Sequence, residues 1–349
     1  MTTLTSPLSQ NMTRRGDNSL IEDNKVLIII ITAQSGVGGL SPSFHHWPAE
    51  QGVRLGTEVA TLLGCISLTV AARLQCLREV SPLALSLAEL EDGVISQPVV
   101  DTFASQPFLP QDPALAFATG DFNTDVDVLV GANKEEGYLF TQAFLTLNHT
   151  ILPLIMGQWD TWGPILLLQK HYLETTQEDV DLAFQILEHY CGTRNITLDH
   201  IGNITDMFTD SFFWVGVDKY IDYHLKYSSR PVFHYINHHL NDISQITWAG
   251  VPVLPGVSHA DELWIEWGPF LGLNRTLSQG DIEASLHLTE LWSNFVKYGD
   301  PSPPGTDGVA WEGVTADSKK YLKLDSQLSM EARTDTYLDR MQYWRSILP

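Results

Sequence analysis

Three stretches carry side chains of the types and in the chain order of a hydrolytic relay. Ser35 lies just past the aliphatic run "KVLIIII" in the stretch "TAQSGVG". Glu135 and Glu136 follow a second aliphatic run in "DVDVLVGANKEEG", and His259 sits in the Pro/Gly-bounded stretch "PGVSHADELW". A serine, then a carboxylate, then a histidine, each after a strand, is an order suited to acyl transfer. In such a relay the carboxylate orients and charges the imidazole, and the imidazole takes the proton of the attacking hydroxyl. The bland alternative is that Glu136 caps the helix after it and His259 is an ordinary loop residue.

Ser35 itself is a poor nucleophile. A strained strand-to-helix elbow crowds the side chains two before and two after the serine, and here these are Ala33 and the β-branched Val37. No other serine has glycine at both of those positions. Metal chemistry is not expected. "DFNTDVDVLVGA" has Asp or Asn at calcium-loop positions but lacks the loop's Gly and final Glu. The adjacent pairs His45-His46 and His238-His239 point to opposite sides on a strand, so one metal rarely takes both. Trp264 and Trp267, close in sequence to His259, are candidates to line a pocket.

The elements that must position these residues read as alternating strands and helices. "KVLIIIITA" suits a strand buried on both faces. Further strands are expected over about Val126–Gly131 and Val232–Ile236. "AEQGVRLGTEVATLLGC" has helical apolar spacing, and a helix is expected from Asp281 to about Val296, stopped by Gly299 and Pro301. This alternation implies an α/β fold with a mainly parallel sheet flanked by helices, in which function collects at the carboxyl ends of the strands.

The 349 residues carry a formal net charge of -22, which disfavours a nucleic acid partner. No apolar run reaches membrane-spanning length, and residues 1–25 show no signal-peptide pattern. Five Asn-x-Ser/Thr sequons (Asn11, Asn148, Asn195, Asn203 and Asn274) nevertheless lean towards an extracellular or lumenal history. Cys65 and Cys76 are spaced to close a small disulfide loop, but spacing alone leaves two buried thiols as an equal alternative. Cys191 has no evident partner in the sequence.

From about Val26 to Pro349 the chain resembles the type-B carboxylesterases, the group that includes the cholinesterases. The resemblance is carried in order by "AQSG", "LLGC…LQCLRE", "QPVVDTFASQPFLPQDP", "VLVGANKEEGYLF", "GVSHADEL", "HLTELWSNFVKYGDPSPP" and "RMQYWRSILP". It implies an α/β-hydrolase fold and a small carboxylic ester as substrate, with no cofactor or metal. It also implies Glu136 as triad acid, His259 as triad base, Ser35 and Glu262 as supporting groups, and a Cys65–Cys76 disulfide. Secretion or passage through the endoplasmic reticulum, with glycans at Asn148, Asn195, Asn203 and Asn274, follows from the same resemblance. Ala260 departs from the glycine usual after the histidine, with a modest loop effect expected.

The family's Gly-Glu-Ser-Ala-Gly elbow and Gly-rich oxyanion loop lie upstream of "QSG", and residues 1–25 match neither. The expectation is therefore a disordered segment 1–25 followed by a partial hydrolase domain over 26–349. That domain is the C-terminal portion of the fold, with the N-terminal strands missing. It would be inactive as this chain, with an apolar strand at an open sheet edge. The alternative function is a noncatalytic adhesion or binding module with a protein partner.

Overall fold

The computed structural model describes residues 30–348, apart from 38, 44–45, 68, 92–97, 147–150, 171–173, 243, 245–255, 269–276 and 307. The segment 1–25 and the sequons at Asn11, Asn148 and Asn274 lie outside the described residues.

Among the described residues the three aliphatic runs and two strands of mixed composition build a five-stranded sheet in the order β1 (Ile30–Gln34), β2 (Asp127–Asn133), β3 (Val232–Asn237), β4 (Lys320–Leu324), β5 (Ser329–Ala332). The first four strands are parallel and β5 returns antiparallel to β4. This is the α/β class expected from the alternation of strands and helices. Every residue of β2 and β3 is buried, as continuous apolar composition demands of strands covered on both faces. Both run further than their apolar residues suggest, to Asn133 and Asn237, because these two asparagines still occupy paired ladder positions.

Successive strand side chains face opposite ways, so β2 feeds two cores. Val128, Val130 and Ala132 pack with Phe208, Ile221 and Trp344 on one side. Leu129 joins Phe233, Leu288, Leu291 and Phe295 on the other. Each such buried apolar side chain contributes about 1.5–3 kcal/mol. The second core depends on the helix Gln279–Tyr298, which buries Ala284, Leu288, Leu291 and Phe295 along one stripe. Its Ser278 cap accepts from the Asp281 N–H at 3.1 Å, and Gly299 ends it at φ 69°.

β1 corrects one expectation. Its composition reads as buried on both faces, yet Ile30 and Ile31 are half-buried and Thr32 is exposed. Among the described residues β1 has β2 as its one neighbour and so forms a sheet edge. Composition reports what a strand favours, whereas burial depends on what lies beside it. The adjoining region, from Ala49 to Thr119, also exposes apolar side chains, among them Ile66, Val70, Leu83, Phe103 and Phe108. The helix Val70–Glu79 buries none of its residues, and a disulfide from Cys65 to Cys76 ties it to the preceding loop.

Candidate functional site

The strand register sets the site. Asn133 and Asn237 pair at the carboxyl ends of β2 and β3, and the chain turns there through Lys134, Glu135 and Glu136. Gly137 allows that turn to press against the helix Ile201–Thr209. A Cβ at Gly137 would overlap the Thr205 carbonyl oxygen, and its N–H donates to Thr209 Oγ1 at 2.9 Å. The turn buries Glu136 completely beside the end of β2. Its Oε1 accepts from the Asn133 N–H at 2.6 Å and from Ser35 Oγ at 2.5 Å. Its Oε2 faces His259 Nδ1 at 2.7 Å. Glu136 is thus no helix cap, because both carboxylate oxygens are committed elsewhere.

Glu135 fixes the histidine loop from the other side. Its N–H donates to the Val257 carbonyl at 3.0 Å, and the Val257 N–H donates to Glu135 Oε2 at 2.8 Å. The next turn closes when the Ser258 N–H donates to Asp261 Oδ2 at 2.8 Å and Asn241 Nδ2 donates to the Asp261 carbonyl at 2.5 Å. Within it Ala260 adopts φ 66°, the left-handed region that favours glycine. The Phe213 ring lies 4.9 Å from the imidazole of His259, tilted by 34°. Phe213 comes from a π-helical turn over Asp210–Trp214, an irregularity common at functional sites.

Burial opposes a charge on His259, but the hydrogen bond and charge of Glu136, helped by Glu262 and Asp261, outweigh it and raise the imidazole pKa. With Nδ1–H donated to Glu136, Nε2 keeps its lone pair, and the side chain is 32% exposed, open enough to meet a reactant. Among the described residues Glu136 is the hydrogen-bond partner of His259.

Glu262 is buried at the start of the helix Glu262–Glu266 and accepts from Asn133 Nδ2. Burial, reinforced by the nearby charge of Glu136, pushes its carboxyl up to about 7. Asn133 is the joint that sequence reasoning missed. Its backbone N–H holds Glu136, and its side-chain amide holds Glu262 and the Ser258 carbonyl, the latter at 2.9 Å. Its Oδ1 accepts from Asn237 Nδ2 at 2.7 Å. The available signal was a polar residue ending an apolar strand three positions before a glutamate. Phe213 left no comparable signal.

Ser35 Oγ donates to Glu136, and among the described residues it makes no hydrogen bond to the imidazole of His259. It sits at φ 52° just past β1, with its N–H on the Gly131 carbonyl at 2.9 Å. Trp264 is buried, whereas Trp267 is 55% exposed. The adjacent histidines diverge: His238 stacks on Tyr321, while His239 Nε2 lies 2.8 Å from Asp281 Oδ1. Among the described residues no group of three or more His, Cys, Asp or Glu is placed to hold a metal. Asn195 and Asn203 are exposed.

An acid-held imidazole after β3, joined to a turn after β2, is the arrangement the family motifs imply. The carboxylesterase family model matches residues 33–344. The chain belongs to the carboxylesterase family. It is 25% identical to Esterase P of Drosophila melanogaster over 63% of this chain and 43% of that protein. It is 24% identical to Venom carboxylesterase-6 of Apis mellifera over 72% and 44%, and 23% identical to Esterase FE4 of Myzus persicae over 86% and 54%. The chain thus spans about half the length of the curated relatives it matches. Among the described residues no helix is long and apolar enough to cross a membrane.

Proposed function

We propose that this carboxylesterase-family chain supplies the acid and base of a Ser-His-Glu centre for hydrolysing small carboxylic esters. The observation that carries this reading is the bond between His259 Nδ1 and Glu136 Oε2, with Glu136 wholly buried and held by Ser35 and Asn133. In the reaction, His259 Nε2 accepts a proton from an attacking serine hydroxyl and later returns it to the alcohol that leaves. Glu136 keeps the imidazole in the tautomer this needs and stabilises its charged form. Ser35 and Glu262 hold the acid and base in place, with Asn133 as the joint between them. No cofactor or metal enters this chemistry.

The 349 residues offer no serine flanked by glycine at positions -2 and +2. A base without a positioned nucleophile and oxyanion donors lacks the main sources of an esterase's rate enhancement, so this polypeptide by itself is expected to be inactive as an esterase. The retained acid–base geometry counts against a purely adhesive module that has shed its catalytic groups. Exposure of Asn195 and Asn203 supports glycosylation and a secretory route, which a mobility shift on deglycosylation of the cell-derived protein would test. The assay for the main reading is p-nitrophenyl acetate turnover by the purified chain. The expected rate is the buffer rate. Turnover abolished by His259→Ala would overturn the inactivity while supporting the base assignment.

A further inference from the structure

A cavity of about 310 Å³ lies between the sheet and the helix Asp335–Ile347, bounded by Lys134 and Glu135 of the turn before Glu136. Ile236, His238 and Tyr321 line it from the sheet side, Trp214 from the π turn, and Arg333 and Tyr337 from the start of the helix. Buried polar groups are normally satisfied, yet four buried polar atoms of these residues have no partner among the described residues: Arg333 Nε and Nη2, the Tyr337 hydroxyl and His238 Nε2.

The guanidinium explains what is wanting. Arg333, whose side chain is 2% exposed, commits Nη1 to Asp218. Its unpartnered Nε–H and Nη2–H lie on one edge of the plane as parallel donors, which matches the two oxygens of a carboxylate. Asp218 is shared by Arg333 and Arg345, and Asp222 by Arg345 and Lys319, so Asp218 is not committed to Arg333 alone. The other cations lining the cavity are already matched, Lys134 by Glu135, and Arg340 by Asp206 and Asp210. Trp214 and Tyr337, in edge contact with ring centroids 5.5 Å apart, with Ile236, give the remaining wall an apolar character.

We propose that this cavity binds a small carboxylate with an aromatic or short aliphatic body, seated on the free edge of Arg333 with its body against Trp214 and Tyr337. The inference goes beyond the ester-hydrolysis reading and does not depend on it.

The test is isothermal titration of the full chain with benzoate, with benzamide as the uncharged isostere and inorganic phosphate as the tetrahedral anion. Benzoate binding should saturate, and benzamide should bind at least roughly tenfold more weakly, as loss of one charge-assisted pair dictates. Phosphate can engage the fork but has no body to lay against Trp214 and Tyr337, and should bind more weakly than benzoate. Arg333→Lys keeps the charge facing Asp218 but removes the fork, and should weaken benzoate by a similar factor. Tyr337→Phe keeps the ring and should weaken it several-fold with an unchanged melting profile. Absence of saturable benzoate binding, as in a cavity that holds only water, would overturn the proposal. Equal affinity for benzamide, tighter binding of phosphate, or full affinity in folded Arg333→Lys would also do so. If Arg333→Lys fails to fold, the benzamide comparison and Tyr337→Phe decide.

Discussion

Glu262→Gln isolates the energetic conflict at the site. Glu262 is buried beside a second buried carboxylate, Glu136, and its carboxyl is pushed from 4.5 up to about 7 by desolvation and then by that neighbour's charge. At about 1.36 kcal/mol per pH unit, the displacement corresponds to on the order of 3 kcal/mol. The sign follows from proton binding. Between the unfolded value of 4.5 and about 7 the folded chain holds more protons than the unfolded chain, so stability falls as pH rises through that window. Glutamine keeps an oxygen for the Asn133 Nδ2 donor but cannot ionise. Urea denaturation of both proteins from pH 4 to 8 should give a stability difference that is flat below about 4.5. The difference should then grow in favour of Gln by roughly 3 kcal/mol by the time the pH passes 7. Asp210, also pushed up by burial, to about 6, contributes a slope of the same sign to both proteins and cancels in the difference. Parallel stability curves across the window would refute the reasoning.

Four further outcomes follow from the structure. Ala260→Gly relieves a left-handed alanine and should raise the urea midpoint by an amount equivalent to about 1 kcal/mol, a gain that an unchanged midpoint would contradict. Gly137→Ala drives a methyl into the Thr205 carbonyl and should cost at least about 3 kcal/mol, read as lost soluble yield or a lowered melting temperature. Replacing both Cys65 and Cys76 by serine opens an 11-residue spacing and should cost roughly 2–3 kcal/mol. Cys191, whose thiol burial pushes up to about 11, should react with iodoacetamide only on denaturation.

The sequence by itself determined the fold class, and its family resemblance pointed to Glu136 and His259 as the proposed acid and base. "VLVGANKEEG" and "PGVSHADEL" announce a strand end and a loop, and apolar periodicity places the helix Gln279–Tyr298 to within a few residues. These are local properties, in which each residue's type reports its own surroundings. The tertiary structure decided what local pattern cannot encode. Pairing of β2 with β3 brings Asn133 beside Asn237, and only that register makes Asn133 the joint between Glu136, Glu262 and the Ser258 carbonyl. Phe213 reaches His259 across 46 positions through a π turn that no period announces. The run "KVLIIII" reads as a strand buried on both faces, yet Ile30 and Ile31 lie half-buried at a sheet edge, since burial depends on neighbours rather than on composition. Ala260 shows the same division. Its identity is plain in the sequence, but its strain exists only because the turn that presents His259 demands a left-handed backbone.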